Sequence, residues 1–380
     1  MKVAIVYDCL FPWRIGGAER WYRSLAEELS RRGHDVVYLT RREWDEAPSL
    51  SFAVVGVSGR RADEIYTQSG RRKILPTLKF GFGVWRYLRA HRDVDVVHAG
   101  SFPFFSIFGI RASRFGRGRP PLVVDVVEVW PAAYWRSYAG RVVGTLGWLI
   151  ERTALLLADR RFTFTRRQAE MLRHDVAVLP GLFDGAVADH VDAPSRDAAV
   201  LFVGRLITEK GAHLVPPAIE VARRAIPDLR CVVIGDGPER ARLESAIAAR
   251  GLEASIELRG FVDDDQLAAS LRSAACLLLP SSREGYGLIV VEAAALGTPT
   301  LTLHHDQNAA ATLIEPGVNG WLVEDERAET WAAAIVEAVR SAADMKLTAW
   351  EWGKRKAEEA SVARSADVIV NAYDACLRRR

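Results

Sequence analysis

Two glutamates with seven residues between them, Glu284 and Glu292, are the residues of this sequence best suited to hold a polar ligand. They lie in PSSREGYGLIVVEAAALGTP (280–299), where a short apolar strand leads into a polar loop and then into a helix predicted to begin near Gly287. Glycines in the loop let the backbone approach a ligand, and the N–H groups at a helix start bind anions or sugar oxygens. Two carboxylates flanking such a loop can hold vicinal hydroxyls, which predicts a nucleotide-sugar site. The alternative is an ordinary strand–loop–helix unit with a solvated Glu284 and a Glu292 that caps or pairs.

The ordered pattern PS, EGYG and EAAALGTP across this segment resembles the E-x7-E signature of the family-4 retaining glycosyltransferases, which have the GT-B fold. The resemblance implies that Glu284 and the following backbone amides hold the donor sugar, while Glu292 binds the nucleotide ribose. Those amides belong to Gly285, Tyr286, Gly287 and Leu288.

Two cations occur around a predicted strand-to-helix turn in VGRLITEKG (203–211), namely Arg205 and Lys210. Fixed cations at such a turn can neutralise a departing nucleoside diphosphate without a metal. The alternative is that both are solvated surface residues. The family resemblance implies the diphosphate role and adds Gly204 to the donor-binding residues.

Further glycine-bearing segments follow strands in the second half. GDGP (235–238) suggests approach to a nucleotide, but Arg240 replaces the third glycine of a dinucleotide fingerprint, which disfavours a dehydrogenase. The resemblance makes GDGP a structural turn near the donor. It also implies that Gly260 and Val262 of ELRGFV (257–262) flank the nucleotide base.

The first half begins with strand, helix and strand, and a Gly-Gly pair precedes the helix. By resemblance, Gly16 and Gly17 contact the donor phosphate or the acceptor. After a later strand, VVDVVEVWP departs from the family pattern, because Val127 and Glu128 stand where many relatives have a His-Asp pair. The predicted acceptor-binding residues are His98, Glu128, Trp130 and Trp135. The alternative for the aromatic residues is a small core beneath a loop, and a lone histidine at a strand end is commonly structural.

No metal or cofactor is expected beside the donor substrate. The four cysteines are scattered without a C-x-x-C spacing, which favours a reducing compartment over a disulfide framework or zinc site. His304, His305 and Asp306 are consecutive, and neighbouring side chains on an extended chain point in opposite directions, which is poor geometry for ligands.

With 380 residues, 49% hydrophobic and 26% charged, the chain predicts two globular domains. Alternating strands and helices predict parallel α/β sheets. The resemblance implies GT-B architecture, with two Rossmann-like domains facing across a cleft. We expect an acceptor-binding domain at 1–188, a donor-binding domain at 189–356 and a C-terminal helix at 357–380 that returns to the first domain.

The first 190 residues carry an excess of basic residues, and the remainder carries an excess of acidic residues. A basic first half suggests an anionic membrane surface or an acidic acceptor, although solubility and attraction between domains explain it equally well. KILPTLKFGFGVWRYLRAH (73–91) could lie on such a membrane with Arg71, Arg72 and Lys73 nearby, or it could pack as a core helix with a basic outer side. No apolar run is long enough to span a bilayer, and MKVAIVYDCL is interrupted by Asp8, which predicts a strand and not a signal peptide. We expect a cytoplasmic protein, peripheral at the inner face of the membrane, with no nucleic-acid partner.

The resulting hypothesis is a retaining, metal-independent hexosyltransferase that moves a hexose from a nucleotide diphosphate sugar to an acceptor hydroxyl by a front-face mechanism. The acceptor classes left open are a lipid-linked saccharide, a polysaccharide and a small metabolite. The alternatives are a catalytically lapsed nucleotide-sugar-binding module and a GT-B sugar-nucleotide epimerase.

Overall fold

A computed structural model describes residues 1–46, 48–59, 73–114, 118–172, 175–191 and 199–379. These residues divide into two compact units. The first contains the described residues up to Leu182 together with those from Ser361 onward, and the second runs from Phe183 to Ala360. Each unit is built on its own parallel sheet.

The first unit has a seven-stranded sheet of order β3-β2-β1-β4-β5-β6-β7. Its central strands are nearly continuous apolar runs because helices cover both faces of the sheet. The strands are β1 Lys2–Val6, β2 Asp35–Arg41, β3 Ala53–Ser58, β4 Val96–Gly100, β5 Leu122–Val126, β6 Arg160–Thr163 and β7 Ala177–Val178. Val3 is in register with both Val36 and Val96, so β1 lies between β2 and β4 in the sheet.

Helices alternate with these strands, as a parallel sheet requires. They are α1 Gly17–Arg31, α2 Ile74–Ala90, α3 Phe105–Ser113, α4 Ala132–Ala139, α5 Arg141–Leu156 and α6 Arg166–Leu172. In α1, buried Trp21, Leu25 and Leu29 recur at helical spacing and form the apolar stripe that packs on the sheet.

The second unit has a six-stranded parallel sheet of order β10-β9-β8-β11-β12-β13. Its strands are β8 Val200–Val203, β9 Cys231–Ile234, β10 Ile256–Gly260, β11 Cys276–Leu279, β12 Thr300–Leu303 and β13 Gly320–Val323. Its helices are α7 Val215–Ala222, α8 Arg240–Ala248, α9 Asp264–Ser273, α10 Leu288–Ala295, α11 Ala328–Arg340 and α12 Ala342–Glu359. Asp263 caps α9 in a reciprocal capping box with Gln266, so the acidic run at 263–265 is a helix start.

The last helix, α13 Val362–Arg378, belongs to the first unit. Ser361 caps it by accepting a hydrogen bond from the N–H of Arg364. Arg32, at the end of α1, contacts Asp367 of α13 at 2.6 Å, and Ser365 hydrogen bonds with the backbone of Gly181. The predicted α/β architecture of two Rossmann-like domains with parallel sheets is confirmed.

Candidate functional site

The carboxyl ends of the strands in the second unit bring several predicted donor residues to one edge of the sheet. β8 and β11 are hydrogen-bonded neighbours, although β9 and β10 lie between them in sequence, because the strand order reverses there. Open α/β sheets bind ligands in the crevice at such a reversal. Lys210 follows β8 and Glu284 follows β11, so these two predicted donor-site side chains leave the sheet at this point.

Lys210 and Glu284 form an ion pair, with Nζ 2.5 Å from Oε1. The hydroxyl of Ser281 donates a second hydrogen bond to the same Oε1 at 2.9 Å. The Lys210 and Glu284 side chains are 21% and 11% exposed, so the protein holds both while leaving each reachable from solvent. Two functional groups of opposite charge are therefore fixed side by side at the reversal of strand order.

Gly211 allows the two loops to come this close. It has φ +70, in the left-handed region, and an added Cβ would lie 2.1 Å from the carbonyl oxygen of Pro280. Only glycine combines that conformation with that contact. The loops are also joined by backbone, because the N–H of Ser282 donates to the carbonyl of Glu209 at 3.0 Å.

A third loop holds the backbone of Glu284 from the other side. The N–H of Glu284 donates to the carbonyl of Gln307 at 3.1 Å, and the N–H of Ala309 donates to the carbonyl of Glu284 at 3.1 Å. Asn308, between them, is buried and donates through Nδ2 to the carbonyl of Leu303 at 2.7 Å. Its Oδ1 accepts from the N–H of Ala310 and caps the short 3-10 helix Ala309–Leu313.

The start of α10 lies directly after Glu284. Gly287 is the residue before the helix, and its φ of +94 and an added Cβ only 2.4 Å from Cβ of Ala310 restrict this position to glycine. Leu288 opens the helix, and the first N–H groups of a helix have no partner within it. They form the donor end that favours anions. The side chain of Tyr286 is buried beneath this turn, and burial raises the pKa of Tyr286 to about 12.

Glu292 is the fifth residue of α10 and is half-buried. Residues four apart lie on the same face of a helix, so Glu292 shares a face with Leu288, one turn from the open N-terminus. Glu292 therefore stands one turn into the helix, on the side of Leu288.

Arg205 follows β8 directly after Gly204, at the same edge of the sheet as Lys210. Its side chain is exposed and makes no hydrogen bond or ion pair with any residue that the structure describes. In this conformation it does not contact Lys210 or Glu284. The edge therefore holds one cation paired with the glutamate and a second cation that faces solvent.

Glycines at the ends of the three adjacent strands β8, β9 and β10 keep the backbone close-packed there. An added Cβ on Gly235, which has φ +132, would lie 1.9 Å from the carbonyl oxygen of Gly204. The N–H of Gly235 donates to the carbonyl of Gly260 at 2.8 Å. GDGP is thus a tight turn pressed against the end of β8. Val262, two residues beyond Gly260, is half-buried against a core cluster of the second unit.

Among the described residues, no group of three or more His, Cys, Asp or Glu side chains is arranged to hold a metal ion. His304, just after β12, is exposed, and its Nδ1 lies 2.9 Å from Oε2 of Glu324 at the end of β13.

In the first unit, Gly16 and Gly17 lie where α1 begins. Gly16 is the residue before the helix and is extended, and its carbonyl accepts the first helical hydrogen bond from Arg20 at 3.1 Å. An added Cβ on Gly17 would meet nothing within 4 Å. The predicted pair therefore opens a helix of the first unit, with open space beside Gly17.

His98 is fully buried in β4, with 0% exposure. Its Nε2 lies 2.8 Å from Oδ2 of Asp125 in β5, and its Nδ1 is 2.6 Å from the hydroxyl of Tyr373 in α13. The indole of Trp21 donates to the same Asp125 oxygen at 2.7 Å. The pKa of Tyr373 is raised well above its ordinary value, mainly because the phenol is buried and secondly because the Asp125 carboxylate is near. His98 thus joins α1, two strands and α13 inside the core, and this burial argues against the predicted acceptor contact.

The aromatic residues after β5 divide into two roles. Glu128 is exposed and accepts a hydrogen bond from the indole of Trp130 at 2.9 Å. Trp135 is buried, and its indole donates to the buried Glu151 of α5 at 2.5 Å, so it serves the core. Trp130 is the hub of the cluster, with ring centroids of Tyr134, Trp135 and Tyr138 at 4.9–5.1 Å. Of the four predicted acceptor residues, Glu128 and Trp130 are the two with accessible surface.

Comparison with known proteins assigns the family. Residues 188–352 match the family model described as Glycosyl transferases group 1, and residues 15–181 match the one described as Glycosyltransferase Family 4. D-inositol 3-phosphate glycosyltransferase of Segniliparus rotundus is 30% identical over 414 residues, and the alignment covers 99% of this chain and 90% of that protein. The chain belongs to the group 1 glycosyltransferases.

Other curated relatives align over a smaller part. Alpha-D-kanosaminyltransferase of Streptomyces kanamyceticus is 31% identical over 194 residues, which cover 48% of this chain and 49% of that protein. The chain thus spans about half the length of several curated relatives that it matches.

Solved structures support the fold of this chain. Sucrose-phosphate synthase from Thermosynechococcus elongatus superposes with a TM-score of 0.80 at 19% identity, covering 100% of both chains. The Anabaena protein HepE, solved in complex with UDP and glucose, superposes with a TM-score of 0.70 at 17% identity, covering 98% of this chain and 99% of that one. At these identities the likeness establishes the GT-B fold of the chain. No helix among the described residues has the length and apolarity to cross a membrane.

Three residues that support the Lys210–Glu284 pair were not predicted as site residues, namely Ser281, Gly211 and Asn308. Ser281 lies inside the predicted motif, three residues before Glu284, and at this spacing its hydroxyl can donate to the Glu284 carboxylate. The Lys-Gly sequence at 210–211 is typical of a turn needing a left-handed residue. An asparagine before an alanine-rich stretch at 309–311 is typical of a helix cap. No sequence signal links Asn308 to Glu284, because their contact depends on how β12 follows β11 in the sheet.

Proposed function

We propose that this protein is a retaining glycosyltransferase that transfers a hexose from a nucleotide diphosphate sugar to an acceptor hydroxyl without a metal ion. The observation that carries the proposal is the contact of Lys210 with Glu284 at the reversal of strand order in the second unit. Nucleotide ligands of open α/β sheets bind at such a point. Membership of the group 1 family supports the choice of a sugar nucleotide over other nucleotides.

The two cations are suited to a leaving diphosphate. Arg205 is exposed and unpaired among the described residues, so it can bind phosphate without first losing a partner. Lys210 is held beside Glu284 before the donor arrives, and its position is fixed by the left-handed Gly211. Cations already in place where negative charge develops stabilise a transition state at little cost in reorganisation. This preorganisation supports a mechanism that needs no metal.

The carboxylates and the α10 N-terminus are suited to the rest of the donor. Glu284, with Ser281 and Lys210 on the same oxygen, is oriented to receive sugar hydroxyls. The backbone of Gly285, Tyr286, Gly287 and Leu288 leads into the helix start, whose N–H groups favour anionic oxygens. Glu292, one turn along, is in our proposal the acceptor of the ribose hydroxyls.

Small residues at the ends of β8 and β10 suit the nucleotide. Gly204 and Gly260 leave the backbone uncovered by side chains, and Val262 adds an apolar surface for the base. In the first unit we assign phosphate or acceptor contact to Gly16 and Gly17, and acceptor stacking to the exposed part of Trp130 beside Glu128.

The proposed chemistry is front-face transfer with retention of anomeric configuration. The bond between the anomeric carbon and the diphosphate oxygen breaks, and the acceptor oxygen bonds to the anomeric carbon from the same face. The departing phosphate takes the acceptor proton, so no strong protein base is required. Arg205 and Lys210 hold the charge on the diphosphate, and Glu284 orients the sugar.

The test combines binding with turnover. Thermal stability is measured with UDP, GDP, ADP and dTDP, where a diphosphate at about a hundredfold its dissociation constant stabilises by about 2.7 kcal/mol. Arg205→Met is then compared with Arg224→Met, since Arg224 is also exposed and without a side-chain partner among the described residues of the same unit. We expect Arg205→Met to weaken binding of one diphosphate and to lower kcat about 10²–10³-fold, while Arg224→Met changes neither.

The same experiment separates the alternatives. A lapsed binding module would be stabilised by a diphosphate but would consume no sugar nucleotide with any acceptor. An epimerase would convert the sugar nucleotide without an acceptor, which NMR of the sugar detects. Equal behaviour of the Arg205 and Arg224 variants, or no stabilisation by any diphosphate, would refute the proposed site.

A further inference from the structure

The outer side of α2 carries large apolar side chains that the fold leaves uncovered. Ile74, Leu75, Leu78 and Phe82 are 43–61% exposed. At 3.6 residues per turn, Leu78, Phe82 and the half-buried Trp85 fall within about 60° of one another around the helix. The opposite side of α2 is buried through Phe80, Val84 and Leu88. The helix α2 therefore has two apolar sides, one buried against the core and one exposed to solvent.

The helix α5 repeats this arrangement. Val142, Val143, Leu146, Leu149 and Leu156 are 47–73% exposed. The spacing of 142, 146, 149 and 156 follows a single stripe along the helix. Nine of the fifteen large apolar side chains that are exposed in the described part of the chain lie on α2 and α5, so the exposed apolar surface is concentrated and not scattered.

Both helices belong to one outer layer of the first unit. Phe80 and Val84 of α2, Ile107 of α3 and Ala154 of α5 join one core cluster on the same side of the sheet. The α2 and α3 helices are in direct backbone contact, since an added Cβ on Gly109 would lie 2.2 Å from the carbonyl oxygen of Gly81. We call the outer side of this layer the α2–α5 face, defined by the exposed residues of the two helices.

The charges on the α2–α5 face are all of one sign. α2 contains no acidic residue, and the one acidic residue of α5, Glu151, is buried and bonded to Trp135. The exposed charged residues are Lys79, Arg86 and Arg89 on α2 and Arg141 on α5. Arg89 lies over the ring of Trp85, and Arg152 lies over the ring of Trp148 at the inner edge of α5. Apolar, aromatic and basic groups are thus combined without an exposed carboxylate on either helix.

We propose that the α2–α5 face docks on an anionic lipid bilayer, with its apolar side chains in the headgroup and upper acyl region. Interfacial helices of peripheral proteins have this composition, with Leu, Phe and Trp on one side and Lys and Arg at its margins. Each basic residue near an anionic surface strengthens binding about fivefold. The proposal does not rest on glycosyl transfer, because vesicle binding is measured without a sugar nucleotide.

The charge pattern favours a bilayer over a second copy of the chain. A two-fold dimer brings the same patch of both protomers together. Lys79, Arg86 and Arg89 would then face a patch of their own sign across the interface. An anionic membrane supplies the opposite charge over the whole face.

The experiment is sedimentation of the full-length chain with vesicles of phosphatidylcholine alone or mixed with phosphatidylglycerol. Arg71 and Arg72 lie outside the described residues, so the charge variant is Lys79→Glu with Arg86→Glu and Arg89→Glu. The apolar variant is Phe82→Ser with Leu146→Ser. The matched control is Arg224→Glu with Arg230→Glu and Arg340→Glu, three exposed arginines of the second unit.

We expect binding only to the anionic vesicles, weakened by salt. The charge variant should bind at least about a hundredfold more weakly, since the fivefold factor applies to each of three lost cations and the glutamates add repulsion. The apolar variant should bind about tenfold more weakly, and the control should be unchanged. Unaltered thermal unfolding shows that the variants are folded. Absence of binding, or an equal loss in the control, overturns the proposal. A dimer in light scattering also overturns the proposal if Phe82→Ser with Leu146→Ser dissociates that dimer and no vesicle binding is found.

Discussion

Substitution of Gly211 by alanine tests whether the Lys210 loop depends on its contact with the loop after β11. An alanine at φ +70 costs about 1–2 kcal/mol for the left-handed conformation. Its Cβ would also lie 2.1 Å from the carbonyl oxygen and 2.8 Å from the carbonyl carbon of Pro280. Backbone atoms cannot give way as a flexible side chain can, and such overpacking costs about 1–3 kcal/mol. We expect Gly211→Ala to lower the unfolding free energy of the second unit by about 2–5 kcal/mol.

Gly251 provides the matched control. It lies in the same unit with φ +63, but an added Cβ there would meet nothing within 4 Å. Gly251→Ala should therefore show only the conformational cost of about 1–2 kcal/mol. The difference between the variants isolates the contact with Pro280.

The assay is urea unfolding of both variants, combined with diphosphate titration under native conditions. Relief of the overlap must move the loop that carries Lys210, so Gly211→Ala should also weaken diphosphate binding while Gly251→Ala leaves it unchanged. Equal losses of stability in the two variants would show that the Pro280 contact does not constrain the loop. Full affinity in a destabilised Gly211→Ala protein would show that the position of Lys210 does not matter for binding.

Two further perturbations follow from the same region. Asn308→Ala leaves the Leu303 carbonyl and the Ala310 N–H without their buried partner, so we expect a loss of about 2–4 kcal/mol in urea unfolding; the exposed Asn371→Ala should stay within about 0.5 kcal/mol. Tyr286 has a folded-state pKa of about 12 because its phenol is buried, so its stabilisation is complete below pH 10 and is lost as pH rises towards 12. Between pH 8 and pH 11 the wild type should therefore lose about 1.4 kcal/mol relative to Tyr286→Phe, and parallel pH dependences of the two proteins would contradict this.

The sequence predicts the parts of the molecule that depend on local pattern. Alternating apolar strands and amphipathic helices predict two parallel α/β units, and the observed sheets agree. The start of α1 near Gly17 and the cap at Asp263 follow from residues adjacent in the chain. Such features need no knowledge of which strands become neighbours.

The supports of the candidate site depend on strand neighbours and could not be predicted in that way. The backbone of Glu284 is held by the loop around Asn308 because β12 lies next to β11, and its side chain is held by Lys210 because β8 lies on the other side of β11. The motif identifies Glu284 but not the residues that fix it. His98 shows the converse. The sequence predicts it at the end of a strand, where it could meet a ligand, but β4 continues to Gly100 and the side chain meets Asp125 inside the core.

The two units use the reversal of strand order differently, although both sheets have the order 3-2-1-4 over the four strands counted from one edge, β3-β2-β1-β4 and β10-β9-β8-β11. In the second unit, charged side chains from the loops after β8 and β11 meet at the reversal and keep part of their surface in solvent. In the first unit, the polar groups beside β1 lie in the core. His98 and Asp125 are fully buried there, and the hydroxyl of Tyr373 in the last helix contacts His98.

A buried carboxylate is stable only when it is hydrogen-bonded, so the contacts of Trp21 and His98 with Asp125 stabilise this carboxylate in the core. Of the first-unit residues predicted to contact the donor or the acceptor, Gly16, Gly17, Glu128 and Trp130 keep accessible surface. Substitution of His98 should consequently act on the packing of α13 and on stability, whereas substitution of Glu128 or Trp130 should act on the acceptor.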